Sequence, residues 1–297
     1  MKIGAIEAGG TKFVCGIGDE HGQVAKSITF QTTTPEETLS HVYAFFQSEH
    51  IDGLGVGAFG PLELDRQSPL YGHITTTPKR HWQHFNLLGA LKDEFSCDIY
   101  LDTDVNAAAL GEASWGAAAG HQNCIYITVG TGIGAGLLVE GNLVHGLLHP
   151  EVGHMLVRRR AGDTFSGCCP YHQDCLEGLA SGPAIQARWG EEASLLANND
   201  AVWMLEAYYL GQALTNLILT VSPEKIILGG GVMQQAQLLP LIRREVQTFL
   251  AGYVEKRELG QTIDQYIVDP GLGQMAGLKG CLALVVRGSR SHSPASQ

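Results

Sequence analysis

Four potential metal ligands lie in a short stretch of the chain between residues 151 and 183. Cys169, His172 and Cys175 follow one another at intervals of three residues, and His154 precedes Cys169 by fifteen. Thiolate and imidazole groups at such spacings are the ligands of tetrahedral zinc sites. Because four protein ligands leave no coordination position for water, the predicted zinc ion is structural rather than catalytic.

Two alternatives remain open for this stretch. The cysteines could be buried free thiols, or two of them could form a disulfide. Cys168 could also replace its neighbour as the ligand; we favour Cys169 because two residues then separate it from His172. The carboxylates of Glu151 and Glu177 bracket the set.

A second group of chemically active residues follows a predicted strand that starts at residue 98. Asp102, Asp104 and Asn106 lie in the turn between this strand and an alanine-rich helix. A carboxylate at a helix N-terminus is often a simple cap, and that alternative stays open. The same position can hold a general base beside backbone amides. Asp104, at the exit of the strand, is the better candidate, and Asp102 is interpreted as its strand-end partner.

Glycine-rich turns between strands are candidate phosphate sites. The turn at 9–11 exposes backbone N–H groups and a hydroxyl, which suit a phosphate oxygen, although such turns are also common in hairpins. In a second turn, glycines at 130, 132, 134 and 136 alternate with other residues. A dinucleotide-binding fingerprint requires a helix next, whereas this sequence predicts a hairpin around 140–142. A strand over 224–229 ends in a third glycine loop before a helix, which suits a nucleotide.

The elements that position these residues form a repeated pattern. A strand–Gly–Thr–strand sequence at 3–18 recurs at 125–139, and a third strand and helices follow each copy. Two such α/β units facing each other would place two phosphate turns across a cleft that closes on substrate. The segment 54–62 is predicted as a buried strand that breaks into a Gly-Pro loop, a usual place for ligand contacts.

Composition limits the class of protein. The 297 residues allow two domains, and 44% hydrophobic with 16% charged residues is ordinary for a globular protein. A net charge of −11 argues against nucleic acid as the main partner. Seven cysteines, four of them scattered singly, fit a reducing compartment. Since the sequence shows neither a signal peptide nor an apolar run of ~18 residues, we expect a cytoplasmic protein without membrane segments.

The ordered motifs resemble one known family. The chain resembles the ROK family of sugar kinases from Lys2 to about Val286, and its zinc loop resembles that of the ROK-type bacterial fructokinases. The matching motifs are EAGGTK (7–12), GAFGPL (57–62), DTDVNAAALGE (102–112), TVGTGIGAG (128–136), HPEVGH (149–154), CPYHQDCLEGLASGP (169–183) and LGGGV (228–232).

This resemblance implies an α/β fold of two actin-like (ribonuclease H-like) ATPase domains with the active site in the interdomain cleft. The first domain would comprise residues 1–115 and about 275–290. The second, 116–274, would carry the zinc loop at 151–183. The polar residues 288–297 are expected to form a disordered tail.

The implied reaction is ATP-dependent phosphorylation of a hexose, D-fructose to D-fructose 6-phosphate, with ATP, Mg²⁺ and structural Zn²⁺. The sequence does not fix the oligomeric state, and we expect a homodimer. Alternatives are a kinase for mannose, glucose or an N-acetylhexosamine, or a non-catalytic sugar sensor. Sensors of this family carry an N-terminal helix-turn-helix domain, whereas this chain begins at the phosphate-binding strand, so we expect the kinase.

The resemblance also assigns roles to residues. Asp104 would be the catalytic base, and the zinc ligands would hold the sugar-binding loop. The implied sugar-binding residues are Gly60, Pro61, Thr103, Asn106, Glu151, His154 and Glu177. The implied nucleotide-binding residues are Gly9, Gly10, Thr11, Lys12, Thr131, Gly132, Pro183, Gly230, Gly231, Val232, Met233, Gln234 and Gln235.

Three positions depart from the usual family pattern. Glu7 stands where Asp is commoner, which bears on how Mg²⁺ is bound. Thr103 replaces the Asn that usually precedes the base, so one sugar contact must differ. Pro170 and His172 replace part of a three-cysteine zinc loop. The last two departures bear on the choice of sugar.

Overall fold

The structure, a computed structural model, describes residues 1–292 and divides into two compact units. Unit 1 comprises Met1–Gly120, Leu143–His149 and the described residues from Gly271 onward. Unit 2 comprises His121–Asn142 and Pro150–Pro270. The sequence places Leu143–His149 in the second domain, whereas in the structure this segment packs with unit 1.

Ten strands and nine α-helices are numbered in chain order along the described residues. The strands are β1 (Ile3–Ala8), β2 (Lys12–Gly18), β3 (Val24–Gln31), β4 (Gly53–Ala58), β5 (Asp98–Thr103), β6 (Cys124–Val129), β7 (Ile133–Val139), β8 (Asn142–Leu143), β9 (Lys225–Gly229) and β10 (Ile267–Val268). The helices are α1 (Pro35–Phe46), α2 (Leu87–Glu94), α3 (Asp104–Trp115), α4 (Leu176–Ala180), α5 (Gly182–Trp189), α6 (Asp200–Val221), α7 (Leu238–Leu250), α8 (Ile263–Tyr266) and α9 (Ala276–His292). Among the residues covered, none of these helices combines the length and apolar character that a membrane span requires.

The sheet of unit 1 has the order β3-β2-β1-β4-β5. β1 to β3 form an antiparallel meander, while β4 and β5 run parallel to β1. The register aligns Glu7 with Gly57 and Gly57 with Asp102 near the carboxyl ends of the parallel strands. These ends of the strands therefore bring three of the sequence motifs to one edge of the sheet.

The sheet of unit 2 repeats this topology with the order β10-β9-β6-β7-β8. In each unit the first three strands form a meander, and the fourth and fifth extend the sheet on the other side of the first. This arrangement confirms the predicted internal repeat and the fold class of two actin-like domains. The hairpin after the second glycine turn is also confirmed: Glu140 and Gly141 form its tip with φ of 51° and 72°, as a type I′ turn requires.

Helices α3 and α9 pack closely against each other and against the sheet of unit 1. A Cβ atom on Gly280 would lie 1.8 Å from the carbonyl oxygen of Ala107, so only glycine allows the two backbones to approach this closely. Leu278, Cys281 and Leu282 of α9 are fully buried in this layer. The C-terminal helix is therefore part of the core of unit 1.

The segment 54–62 is confirmed as a buried strand that breaks into a Gly-Pro loop: the strand ends at Ala58, and Gly60 and Pro61 follow in the loop, where proline has no N–H to donate. One predicted element differs from the structure. Helix α9 continues to His292, so residues 288–292 of the expected disordered tail are helical. The rest of that tail, 293–297, lies outside the described residues.

Candidate active site

Asp104 is the first residue of α3, directly after strand β5. Thr103 caps the helix, since its Oγ1 accepts a hydrogen bond from the backbone N of Asn106 at 3.1 Å. Asp104 Oδ1 accepts one from the backbone N of Val105 at 2.9 Å. Burial raises the pKa of Asp104 to about 6 although these amide contacts lower it. A carboxylate with such a pKa can accept a proton near neutral pH.

Asp102 and Asn106 are buried beneath the start of α3, with exposed fractions of 6% and 0%. Asp102 Oδ1 accepts hydrogen bonds from Asn106 Nδ2 at 2.7 Å and from the backbone N of Thr103 at 2.8 Å. Thr103 itself is only 2% exposed. Of the predicted sugar-binding residues, Thr103 and Asn106 therefore use their polar atoms to build the helix start.

His145, whose side chain is 38% exposed, contacts this buried group from its edge, although its sequence context gave no signal for it. Its Nε2 lies 3.2 Å from Oδ1 and 3.0 Å from Oδ2 of Asp102. The hydrogen bond to Asp102 raises the pKa of His145 above its ordinary value. A carboxylate only accepts, so Nε2 carries the proton in this contact.

Glu7 lies near the end of β1 and is the second carboxylate of this edge. Burial, followed by the charge of Asp104, raises the pKa of Glu7 to about 7, while Lys12 and the amide of Leu278 lower it. Its carboxyl group lies against Gly277, at the start of α9, where a Cβ atom would approach within 2.4 Å. Two carboxylates that disfavour each other's charge fit a site for a hard cation such as Mg²⁺.

The turn at residues 9–12 is closed by a hydrogen bond from the N of Gly9 to the carbonyl of Lys12 at 3.0 Å. Thr32 Oγ1 donates to the carbonyl of Gly9 at 2.7 Å. Thr11 and Lys12 are exposed at the turn. The side chain of Lys79, which sequence reasoning missed, lies beside Gly10. The turn therefore presents a hydroxyl and two ammonium groups near its backbone amides.

The loop after β4 contains Gly60 and Pro61. The carbonyl of Pro61 accepts hydrogen bonds from the N of Thr75 at 2.8 Å and from its Oγ1 at 3.1 Å. The backbone N of Leu62 donates to Nε2 of the buried His149 at 3.2 Å. This histidine lies within a quoted motif, but the sequence gave it no role.

In unit 2, several predicted nucleotide-binding residues meet at the ends of β6 and β9. The N of Gly182 donates to the carbonyl of Gly130 at 2.8 Å, which joins the start of α5 to the second glycine turn. Gly230 has φ of 96° and packs against the backbone of Val129. Thr131 and Pro183 are exposed there, and Gly132, Gly231, Gln234 and Gln235 retain some exposure.

Two residues of this predicted set are placed differently. Val232 and Met233 belong to a short 3₁₀ turn, and their side chains are in the core at 3% and 6% exposure. Only their backbone groups could reach a ligand. The adjacent apolar residues after the glycines carried that signal, because an apolar pair beside a buried strand usually packs inward.

Glu177 lies on α4, beside the turn that contains Thr131 and Gly132. Its Oε2 accepts a hydrogen bond from the backbone N of Ile133 at 2.9 Å, and a Cβ atom on Gly132 would lie 2.7 Å from this oxygen. Glu151 precedes a 3₁₀ turn, Val152–His154, and is partly exposed. The structure thus joins Glu177 to the predicted phosphate turn of unit 2.

The four predicted zinc ligands form one cluster. The ligand atoms of His154, Cys169, His172 and Cys175 all lie within 4.8 Å of one another. Nδ1 of His154 lies 3.5 Å from Cys175 Sγ and 3.8 Å from Cys169 Sγ. Nδ1 of His172 lies 3.7 Å from Cys169 Sγ. A tetrahedron with Zn–N and Zn–S bonds of about 2.0–2.3 Å has edges of about 3.3–3.8 Å. The donor set therefore fits a tetrahedral metal ion.

The backbone around the cluster fixes the ligands in place. Cys169 and Gln173 exchange hydrogen bonds of 3.2 and 3.0 Å, and the N of Leu176 donates to the carbonyl of Met155 at 2.9 Å. None of the seven cysteines, all of which lie in the described residues, forms a disulfide, so the disulfide alternative does not hold in this structure. Cys168 is exposed and lies outside the cluster, which agrees with the choice of Cys169.

Comparison with known proteins places this geometry in a family. A sequence profile described as the ROK family matches residues 3–287. The chain is 47% identical over 284 residues to a fructokinase from Pediococcus pentosaceus, covering 96% of this chain and 97% of that one. It is 43% identical over 268 residues to a fructokinase from Lactococcus lactis subsp. cremoris, with 90% of each covered.

A solved structure gives the same result. The crystal structure of a ROK family glucokinase from Streptomyces griseus, in complex with glucose and AMPPNP, superimposes with a TM-score of 0.75 at 25% identity. The match covers 96% of this chain and 99% of that one. Since the profile and these relatives extend over nearly the whole sequence, the chain belongs to the ROK family.

Proposed function

We propose that this protein transfers the γ-phosphoryl group of ATP to a hexose, converting D-fructose to D-fructose 6-phosphate, with Asp104 as the general base. The observation that carries this proposal is the carboxylate of Asp104, held at the start of α3 with its pKa raised to about 6. The relatives named fructokinase, at 47% and 43% identity, support the choice of sugar.

Phosphoryl transfer needs positioning and charge neutralisation, with one carboxylate to accept the proton of the attacking hydroxyl. Asp104 would take this proton. Because Asp104 is partly buried, few water molecules could reach it and compete with the sugar hydroxyl. Thr103 and Asn106 would act by fixing the helix start, and Gly60, Pro61, Glu151 and His154 would bind the sugar. Glu177, which the resemblance assigns to the sugar, would hold the phosphate turn through the N of Ile133. Because the Oγ1 of Thr103 caps the helix and the residue is 2% exposed, a hydroxyl of the sugar would need a contact other than the Asn that is usual at this position.

ATP would be bound by backbone-lined turns in both units. Residues 9–12 and Lys79 suit the phosphates from unit 1, and Thr131 and Gly132 suit them from unit 2. Pro183 and the loop at 230–235 would contact the adenosine.

The two metals would have different roles. Glu7 and Asp104 offer the oxygen ligands for Mg²⁺, which when bound neutralises charge on the phosphates. Zn²⁺ would be held by His154, Cys169, His172 and Cys175 and would stabilise the loop at 151–183. Four protein ligands leave no coordination position for water, which supports a structural role.

Two further parts of the proposal concern the cell and the assembly. Seven free cysteines support a reducing compartment, the cytoplasm. A homodimer stays a prediction, which analytical ultracentrifugation at several protein concentrations would check.

The testing experiment measures ADP release with ATP and Mg²⁺ over fructose, mannose, glucose and N-acetylhexosamines. We expect the highest kcat/KM on fructose, and a loss of about 10²- to 10⁴-fold in Asp104→Asn. Asp98→Asn is the matched control, since Asp98 is an exposed carboxylate at the other end of the same strand. Turnover on a different sugar alone would keep the kinase and exclude fructose. Sugar binding without turnover would favour a sensor.

A further inference from the structure

The segment Leu143–His149 lies between two stretches of unit 2 in sequence but packs with unit 1. It contacts unit 1 through two histidines, at positions 145 and 149. Each histidine is hydrogen-bonded to a different loop of the proposed sugar-phosphorylating site. The segment thus holds two of the site's parts at once.

His145 contacts the start of helix α3. Its Nε2 lies 3.0 Å from Oδ2 of Asp102, and Oδ1 of the same carboxylate accepts from Asn106 Nδ2 at 2.7 Å. Asn106 is fully buried one turn from the helix start, and its own Oδ1 has no hydrogen-bond partner. Removing the His145 contact would leave Asp102 with an unbalanced buried charge, and the network that fixes this turn would loosen.

His149 contacts the loop after β4. Its Nε2 accepts from the backbone N of Leu62 at 3.2 Å, and a Cβ atom on Gly60 would lie 3.3 Å from its ring. Leu62 and His149 are buried, at 4% and 5% exposure. Without this acceptor the N–H of Leu62 would be buried and unsatisfied, which costs enough to displace a loop.

We propose that His145 and His149 are positioning residues: His145 orients the helix start that carries Asp104, and His149 fixes the Gly60–Pro61 loop that contacts the sugar. This inference rests on the proposed kinase function. The two contacts act on different steps. The His145 contact orients the base and so affects proton transfer, whereas the His149 contact shapes the sugar pocket and so affects sugar binding. Their substitutions therefore have different kinetic signatures.

The experiment compares His145→Leu and His149→Leu with the conservative variants His145→Gln and His149→Gln in the full-length protein. His145→Leu is expected to lower kcat by about ten- to a hundredfold while KM for fructose stays within about twofold. His149→Leu is expected to raise KM for fructose by about tenfold with little change in kcat. Glutamine keeps a donor at 145 and an acceptor at 149, so both Gln variants should recover most of the loss.

Leu147→Ser is the control within the same segment, since Leu147 is 97% exposed. It should leave both kinetic constants unchanged. Thermal unfolding of every variant separates a positioning role from general destabilisation. The inference would be overturned if the Gln variant did not recover the change in kcat or KM. It would also be overturned if the size of the kinetic change tracked the decrease in Tm across the variants.

A second readout does not depend on activity. The His145 imidazole, assigned by the NMR signal that His145→Gln lacks, should titrate at a lower pH in Asp102→Asn than in the wild type. Equal titration in both proteins would overturn the His145 contact even if the wild type is an active kinase. Unchanged kinetics in both Leu variants would overturn the inference and leave the proposed function intact, whereas a wild type inactive on all sugars would refute the proposed function itself.

Discussion

The carboxyl group of Glu7 lies against the backbone of Gly277, where a Cβ atom would come within 2.4 Å of its carboxyl carbon. The helix α9 therefore leaves room for a glutamate at a position where the family commonly has the shorter aspartate. Because Gly277 has no side chain, the Glu7 carboxylate can extend as far as the backbone of α9. The charge of Asp104, the second carboxylate at this edge, raises the pKa of Glu7 further.

We predict that Gly277→Ala displaces Glu7 and weakens Mg²⁺ binding. The concentration of Mg²⁺ for half-maximal velocity should rise by about tenfold or more, as for partners that orient metal ligands. The measurement is initial velocity against free Mg²⁺ at saturating sugar. Gly260→Ala is the control, because a Cβ atom there has one contact only, with Lys256 at 3.7 Å. An unchanged Mg²⁺ requirement in Gly277→Ala would contradict the role of Glu7.

A second prediction concerns stability against pH. Burial raises the pKa of Glu7 to about 7 and that of Asp104 to about 6, so the native state favours their protonated forms. Their stabilising contribution is complete below the unfolded-state pKa values and is lost as pH rises through about 6 and 7. Without Mg²⁺, Glu7→Gln should therefore gain roughly 2–4 °C in Tm over the wild type at pH 8 and less at pH 5.

Calorimetric scans at pH 5 and pH 8 check this prediction, with Glu94→Gln as an exposed control on α2. The prediction would be contradicted if the gain in Tm were equal at both pH values or also occurred in the control. The burial and repulsion of the Glu7 charge would then not be the cause of the gain in Tm. Catalysis should fall in the same variant, as expected where a strained site is kept for function.

The zinc loop offers a matched pair of adjacent cysteines. Cys169→Ser should lose bound zinc on dialysis and make the loop at 151–183 sensitive to proteolysis, because a structural metal stabilises the fold that binds it. Cys168→Ser should keep the zinc, since Cys168 is exposed and outside the four-residue cluster. Elemental analysis of the dialysed proteins decides. Zinc retained by Cys169→Ser and lost from Cys168→Ser would exchange the roles of the two thiols.

Glu177 can be assigned to the sugar or to the phosphate turn by kinetics. Its carboxylate accepts a hydrogen bond from the N of Ile133, which stabilises the phosphate turn. Because a hydrogen bond to a charged group contributes more than one between neutral groups, Glu177→Ala should raise KM for ATP by about tenfold. Glu177→Gln keeps an acceptor and should have a smaller effect. If KM for fructose rises instead while KM for ATP is unchanged, the resemblance-based role of Glu177 in sugar binding is correct.

Features set by local sequence were predicted well. The ligands Cys169, His172 and Cys175 lie close along the chain, so their spacing alone indicated the cluster. The strand, turn and helix around Asp104 follow from local propensity and capping, and the repeated glycine turns predicted the matching sheets. In each case the determining residues lie within one or two neighbouring elements.

Contacts between distant segments were not predictable from the sequence. His145 meets Asp102 across 43 residues, and His149 meets Leu62 across 87; only the folded chain brings them together. An isolated histidine in a loop carries no periodic signal that would mark such a partner. The burial of Val232 and Met233 was missed because the resemblance assigned the whole segment 230–235 to nucleotide binding.

The position of α9 in the core of unit 1 also affects the order in which the protein can fold during its synthesis. The sheet of unit 1 is made first, but the helix that covers β1 and β4 is the last part of the described chain to leave the ribosome. At about 5–20 residues per second, synthesis of the intervening unit 2 delays that helix by roughly ten seconds or more. During this interval the nascent chain must carry an open apolar surface on its first sheet, while unit 2 can already complete its own core.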